Sequence, residues 1–255
     1  MVIIQEWINF VKLFFEKEEK SYLLFTNREL CYHLSMASSK RFLLINILDI
    51  LTFVLMVLGI SFSIFDVRFM GDYPRLSSLP IYETFTGLSN IFLGLVCLGC
   101  AIYRISKREL ELPKALFVLK IIALAEITIT FITTAVILSP NLGSTWWRLY
   151  INNNIFNHFL TPLLAIVTFI VLEEKVEISY RFCFLAVISV IAYGFFYVPN
   201  VYTHLTAEGN VDRAYDIYGF ARFGPFIFFL FSLLFIGFSI GFAFLYWFLN
   251  KIKRH

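Results

Sequence analysis

Thr86 and His158 carry the side chains from which a nucleophile and its base are made, and both lie a short way inside long apolar stretches. With a helical rise of 1.5 Å per residue, each sits roughly 8 Å below the same face of a membrane. A threonine hydroxyl is a weak nucleophile until a base takes its proton, and an imidazole at the same depth is suited to take it. Asn90 lies one turn from Thr86, and Asn154 one turn from His158. Their carboxamides, or a backbone N–H, would hold a developing oxyanion. Such a layer would perform acyl chemistry at a lipid interface. The same residues would equally serve as a polar contact between helices with the histidine capping it, and spacing alone leaves both readings open.

The other polar groups within apolar stretches read differently. Asp49 and Lys120 lie roughly 10 and 8 Å inside the opposite face. At one level, they are expected to form a structural ion pair, or Lys120 to snorkel, with transport or proton movement as the other reading. Glu126 falls near the midplane with no cation in reach on its own helix. It is expected to be protonated or hydrogen-bonded to a neighbour such as Asn90, beneath the Thr86 and His158 layer. Cys97-x-x-Cys100 has the spacing of a zinc or redox pair, but it lies in a helical stretch with Cys183 at similar depth and Cys31 outside, so all four read as packing thiols. Of the four histidines only His158 is inside a stretch, which leaves a haem without its second axial ligand. No metal or cofactor is expected. Gly237-x-x-x-Gly241 allows a helix to approach closely, within the chain or in a homo-oligomer.

The elements that must position these groups follow from composition. Of 255 residues 59% are apolar, 19% aromatic and 15% charged, and Phe alone occurs 31 times. Mean hydropathy is +0.78. A water-exposed domain of this composition would aggregate, and a net charge of +3 is too small to argue for nucleic acid. Six windows reach the roughly 20 apolar residues that a bilayer core requires. They are Phe42–Phe65, Ile81–Tyr103, Ala115–Leu138, Asn153–Leu172, Phe182–Pro199 and Phe223–Leu249. The reading is an all-α integral membrane protein with a six-helix domain over residues 42–250 and a tail over 251–255. Residues 1–41 form an N-terminal segment whose Val2–Phe15 portion has the apolar period of a helix lying on the membrane surface.

Basic residues are retained on the cytoplasmic side during insertion. The N-terminal segment, the second and fourth loops and the tail hold 15 of the 21 Lys and Arg, the opposite loops hold 5, and Lys120 lies within a span. Both termini are therefore expected in the cytoplasm, with the protein in the plasma (cytoplasmic) membrane. Asp66–Pro80 and Val201–Arg222 are the longer outward loops, and the second reads either as a cover over the bundle mouth or as a solvated connector. Trp146, Trp147, Tyr150 and Trp247 read as interfacial anchors.

At these residues the sequence resembles the androgen-induced-protein family of six-span membrane proteins, in its bacterial Pr6Pr-type branch. Phe85-Thr86-Gly87-Leu88-Ser89-Asn90 is similar to that branch's FTxxSN. Asn154-x-x-x-His158-x-x-x-Pro162 is similar to its NxxxHxxxxP with the proline one residue nearer, and Tyr218-Gly219-Phe220 stands where the family usually has Tyr-Pro-Phe, followed by Gly224-Pro225. Coverage runs from about residue 42 to 250. The resemblance implies a threonine hydrolase of lipid esters, or an acyl transferase, with Thr86 as nucleophile, His158 as base and an acyl-chain substrate drawn from membrane lipid. A non-catalytic bundle that transports or binds a small molecule or lipid is the alternative.

Overall fold

The computed structural model describes residues 27–70, 80–206, 211–212, 215–216 and 218–253. The Val2–Phe15 segment lies outside the described residues. Contacts divide the chain into Met1–Leu44, described from Asn27 as helix, and Ile45–His255. The protein is an all-α membrane bundle, and six of its helices are long and apolar enough to cross a membrane. These are α1 (Asn27–Ile64, apolar from Ser39), α2 (Phe85–Lys107), α3 (Lys114–Leu138), α4 (Asn153–Leu172), α5 (Tyr180–Thr203) and α6 (Pro225–Lys251).

Local chemistry sets where these helices begin and end. Thr84 caps α2 by accepting the Gly87 N–H at 3.0 Å, and Arg108 in the left-handed region ends that helix. Gly224 at φ 87° turns the chain into Pro225, whose missing N–H costs nothing at a first helical position. The sequence reading ended the fifth span at Pro199, but α5 continues to Thr203. Proline removes one N–H from the ladder without obliging the helix to stop. Val201 is consequently a buried helical residue, and the connecting segment starts at His204.

Of its most apolar stretch, α3 buries 67%, against 17% for α5 and α6, so α3 is the hub. Side chains such as Val54, Leu95, Phe195 and Phe226 are left exposed on the bundle's outside, as lipid contact requires. The turns 108–113 and 173–179 lie at one end, here termed the base, and the segment 143–150 and the described residues of 204–224 at the other, the mouth. The larger buried apolar cluster lies toward the base, where Phe117 and Phe169 bring α3 and α4 together with ring centroids 5.9 Å apart. Cys97, Cys100 and Cys183 are buried there as free thiols.

Asp49 and Lys120 meet at the base, as half of a larger group. Lys120 Nζ donates to both Asp49 carboxylate oxygens at 2.9 Å and pairs with Glu173 at 2.6 Å. Arg104 bonds Asp49 at 2.7 Å and also pairs with Glu173. Two cations and two anions, one from each of α1, α2 and α3 and one from the end of α4, are fully or almost fully buried and balance in charge. Arg104 and Glu173 each fall one residue past an apolar window of the sequence, at helix ends. Their side chains fold inward, because an isolated Asp49–Lys120 pair would leave buried oxygens and protons unserved.

Candidate functional site

In α3 and α4 the regular hydrogen-bond ladder opens into one π-helical turn each, Thr133–Leu138 and Phe156–Leu160. Each turn is followed by a hydroxyl residue and then proline, Ser139-Pro140 and Thr161-Pro162. In α4 the Thr161 N–H reaches back five residues to the Phe156 carbonyl. The next donor in that register would serve the Asn157 carbonyl, but residue 162 is proline and has none. Asn90 Nδ2 fills the gap across the helix interface, donating to Asn157 O at 3.0 Å. In α3 the Ser139 N–H likewise reaches Thr134 O, and the Ser139 hydroxyl donates to the same oxygen at 2.8 Å. Such turns re-aim the side chains they contain and are frequent at functional sites.

The two turns meet through the residues they carry. Thr134 Oγ1 and His158 Nδ1 share a hydrogen bond of 2.9 Å, and both side chains are buried. Two further contacts lock this layer: Ser89 and Thr130 hydroxyls at 2.9 Å between α2 and α3, and the Asn90 bond between α2 and α4. Asn90 Nδ2 donates in addition to its own helix, at the Thr86 carbonyl, 2.8 Å away.

Beside this layer lies a cavity of about 570 Å³, walled by the start of α2, the mouth half of α3, and the facing parts of α5 and α6. Its surface is overwhelmingly apolar, with Ile129, Val190, Phe229 and Phe235 among the walls. Thr86 and Thr134 line it; His158 does not, standing behind Thr134. That volume falls within the range of pockets that enclose most of a small ligand.

A segment of the 204–224 connection closes over the same cavity. Asp216 is buried and fixes it: Tyr197 donates to one carboxylate oxygen at 2.6 Å, and the Phe220 and Ala221 amides donate to the carboxylate at 3.1 and 3.0 Å. This holds Tyr218 and Phe220 in the cavity wall. The Tyr218 oxygen accepts the Phe85 N–H at 3.0 Å and is in polar contact with the Thr86 hydroxyl and the Tyr193 phenol. Burial pushes the Tyr218 phenol up from its ordinary value, so it keeps its proton.

The residues singled out from spacing are thus distributed over three environments. Thr86 faces the cavity, but no hydrogen bond joins it to His158 among the described residues; the imidazole addresses Thr134, a residue that spacing did not single out. Asn154 donates to the Arg148 carbonyl at 3.1 Å, and the π turn beginning at Phe156 sets His158 on a face different from the one a regular helix turn would give it relative to Asn154. Glu126 is hydrogen-bonded to Ser189 of α5 rather than to Asn90. One turn of helix is too coarse a ruler to choose between neighbours on different helices. Gly237 and Gly241 sit exposed, and among the described residues none outside the helix's own turns comes within contact of a Cβ placed there. The repeated Leu-Ser/Thr-Pro at 138–140 and 160–162 is the sequence signal that marks both π turns, and with them Thr134.

Compared with models of known families, with curated proteins and with solved structures, the chain gives no match in any of the three.

Proposed function

We propose that this protein is an intramembrane hydrolase of lipid esters, related to the androgen-induced-protein family, that holds an acyl chain in the mouth-side cavity. The observation that carries the reading is an apolar chamber of about 570 Å³ whose wall includes Thr86 and Thr134, with the second hydroxyl hydrogen-bonded to an imidazole. A chamber meant only for packing has no need of hydroxyls on its surface or of a buried histidine behind them.

In this reading Thr86 Oγ adds to the ester carbonyl carbon while its proton passes by way of the Thr134 hydroxyl to His158. The leaving alkoxide takes that proton, and water then cleaves the acyl-threonine to release the fatty acid. Asn90 and the Ser89–Thr130 bond hold the helices in register beneath the pair, and the mouth faces outward from the cytoplasmic membrane. The direct His158 contact favours a second assignment, in which Thr134 itself is the nucleophile.

Fluorophosphonate labelling of the full chain in detergent micelles tests both. Labelling is expected in the wild type, absent in Thr86→Ala and slowed in His158→Ala. Labelling that survives Thr86→Ala and disappears in Thr134→Ala moves the nucleophile to Thr134. A wild-type chain that takes no label and cleaves no acyl ester in vesicles makes it a lipid-binding or transporting bundle instead.

A further inference from the structure

The hydrolysis proposed above needs a donor for the oxygen that becomes negative when Thr86 attacks, and the obvious sequence candidate is already committed. Both Nδ2 protons of Asn90 are spent, one on the Thr86 carbonyl at 2.8 Å and one on the Asn157 carbonyl at 3.0 Å. The amides at the start of α2 are engaged too: Gly87 N–H is held by the Thr84 hydroxyl at 3.0 Å, and Phe85 N–H by the Tyr218 oxygen at 3.0 Å. The Thr86 amide and hydroxyl also meet the Tyr218 oxygen, so the group that faces the cavity beside Thr86 is the phenol of Tyr218.

We infer that Tyr218 is a catalytic residue of this reaction, donating its phenolic hydrogen bond to the substrate's carbonyl oxygen as Thr86 attacks, with the Phe85 amide aligning and polarising it from behind. The inference rests on the hydrolase reading with Thr86 as nucleophile. An oxygen that accepts an N–H becomes a stronger O–H donor, since hydrogen bonds in a chain reinforce one another in a low dielectric. Through that chain the positive end of α2 acts on a carbonyl it does not touch. The neighbouring phenol is not a substitute, because the Tyr193 proton has acceptors within the protein, the Glu83 carbonyl at 3.4 Å and the Tyr218 oxygen. The Tyr218 proton is not transferred. As the Thr86 Oγ–carbon bond forms, the carbonyl π pair moves onto oxygen and is held by the phenol; on collapse the pair returns, the bond to the alcohol oxygen breaks, and the alkoxide takes the proton that His158 had received.

The test is hydrolysis of 4-nitrophenyl decanoate by the purified full chain in micelles. Tyr218→Phe keeps the ring and loses the donor; kcat is expected to fall about 10²–10³-fold with KM nearly unchanged, the signature of an interaction made in the transition state. An unchanged kcat, or a raised KM with kcat intact, overturns the inference. Should Tyr218→Phe unfold, 3,5-difluorotyrosine incorporated at position 218 keeps the shape and the hydrogen bond but makes the phenol more acidic. The alkaline limb of the kcat profile is then expected to move to lower pH, and a limb that does not move overturns the assignment. Full activity in Thr86→Ala is a separate result. It removes Thr86 as the nucleophile, and with it the assignment on which Tyr218 depends, whereas loss in Thr86→Ala with none in Tyr218→Phe removes Tyr218 alone.

Discussion

His158 and Thr134, 24 residues apart, meet across α3 and α4 at 2.9 Å, each presented by a π-helical turn. Neither turn is imposed by the other. Each precedes its own proline, so the contact is prepared locally in two helices and completed when they pack.

That contact is expected to matter both for stability and for reaction. Thr134→Val keeps the volume and removes the hydroxyl, leaving His158 Nδ1 buried without its partner, at a cost of about 1–3 kcal/mol. Thermal unfolding in detergent measures the loss. Ester hydrolysis is expected to fall as far as it does in His158→Ala, since a histidine that has lost its relay is no longer in the proton path; a Thr134→Val chain with full activity would contradict the relay.

Pro162 gives a way to disturb the geometry without touching a polar side chain. Pro162→Ala supplies an N–H that a regular helix directs to the His158 carbonyl four residues back, letting α4 wind through without the π turn and turning His158 away from Thr134. Hydrolysis is expected to drop by an order of magnitude or more while the unfolding temperature holds or rises. Amide protection at residue 162 and the activity, measured on one sample, check the two halves of this statement.

The base group predicts a pattern of coupling. Lys120→Met or Arg104→Met alone strands buried carboxylates and is expected to cost about 3–5 kcal/mol. Lys120→Met combined with Asp49→Leu removes one charge of each sign. It should cost less than the sum of the single losses, and a double-mutant cycle on unfolding in detergent measures the difference. Strict additivity would mean that the four side chains do not act as a unit.

Orientation is open to chemical labelling. In a chain with its native cysteines replaced by serine, Ser144→Cys near the mouth is expected to react with an impermeant maleimide from outside intact cells. Ser106→Cys at the base should react only after permeabilisation. The reverse pattern would turn the cavity toward the cytoplasm.

The amino-acid sequence by itself determined the six crossing helices, because a bilayer accepts backbone only where every N–H and C=O is satisfied within the segment, and length and apolarity report that directly. It also determined that Asp49 and Lys120 share a level and that Thr86 lies shallow in α2, since depth along a helix is a count of residues. What only the tertiary structure decided is azimuth and partner. Depth brought Thr86 and His158 to one layer, yet a π turn in each of α3 and α4 gave the imidazole to Thr134, while helix packing gave Asn154 to the Arg148 carbonyl and Glu126 to Ser189. Arg104 and Glu173 fall just past two of the apolar windows, and their place in the base group was decided only when four helices closed around them, because the end of a long side chain is free to fold inward wherever opposite charge waits. Tyr218, far along the chain from Thr86, reaches the start of α2 only through the Asp216 strap, a contact between segments that no local periodicity encodes.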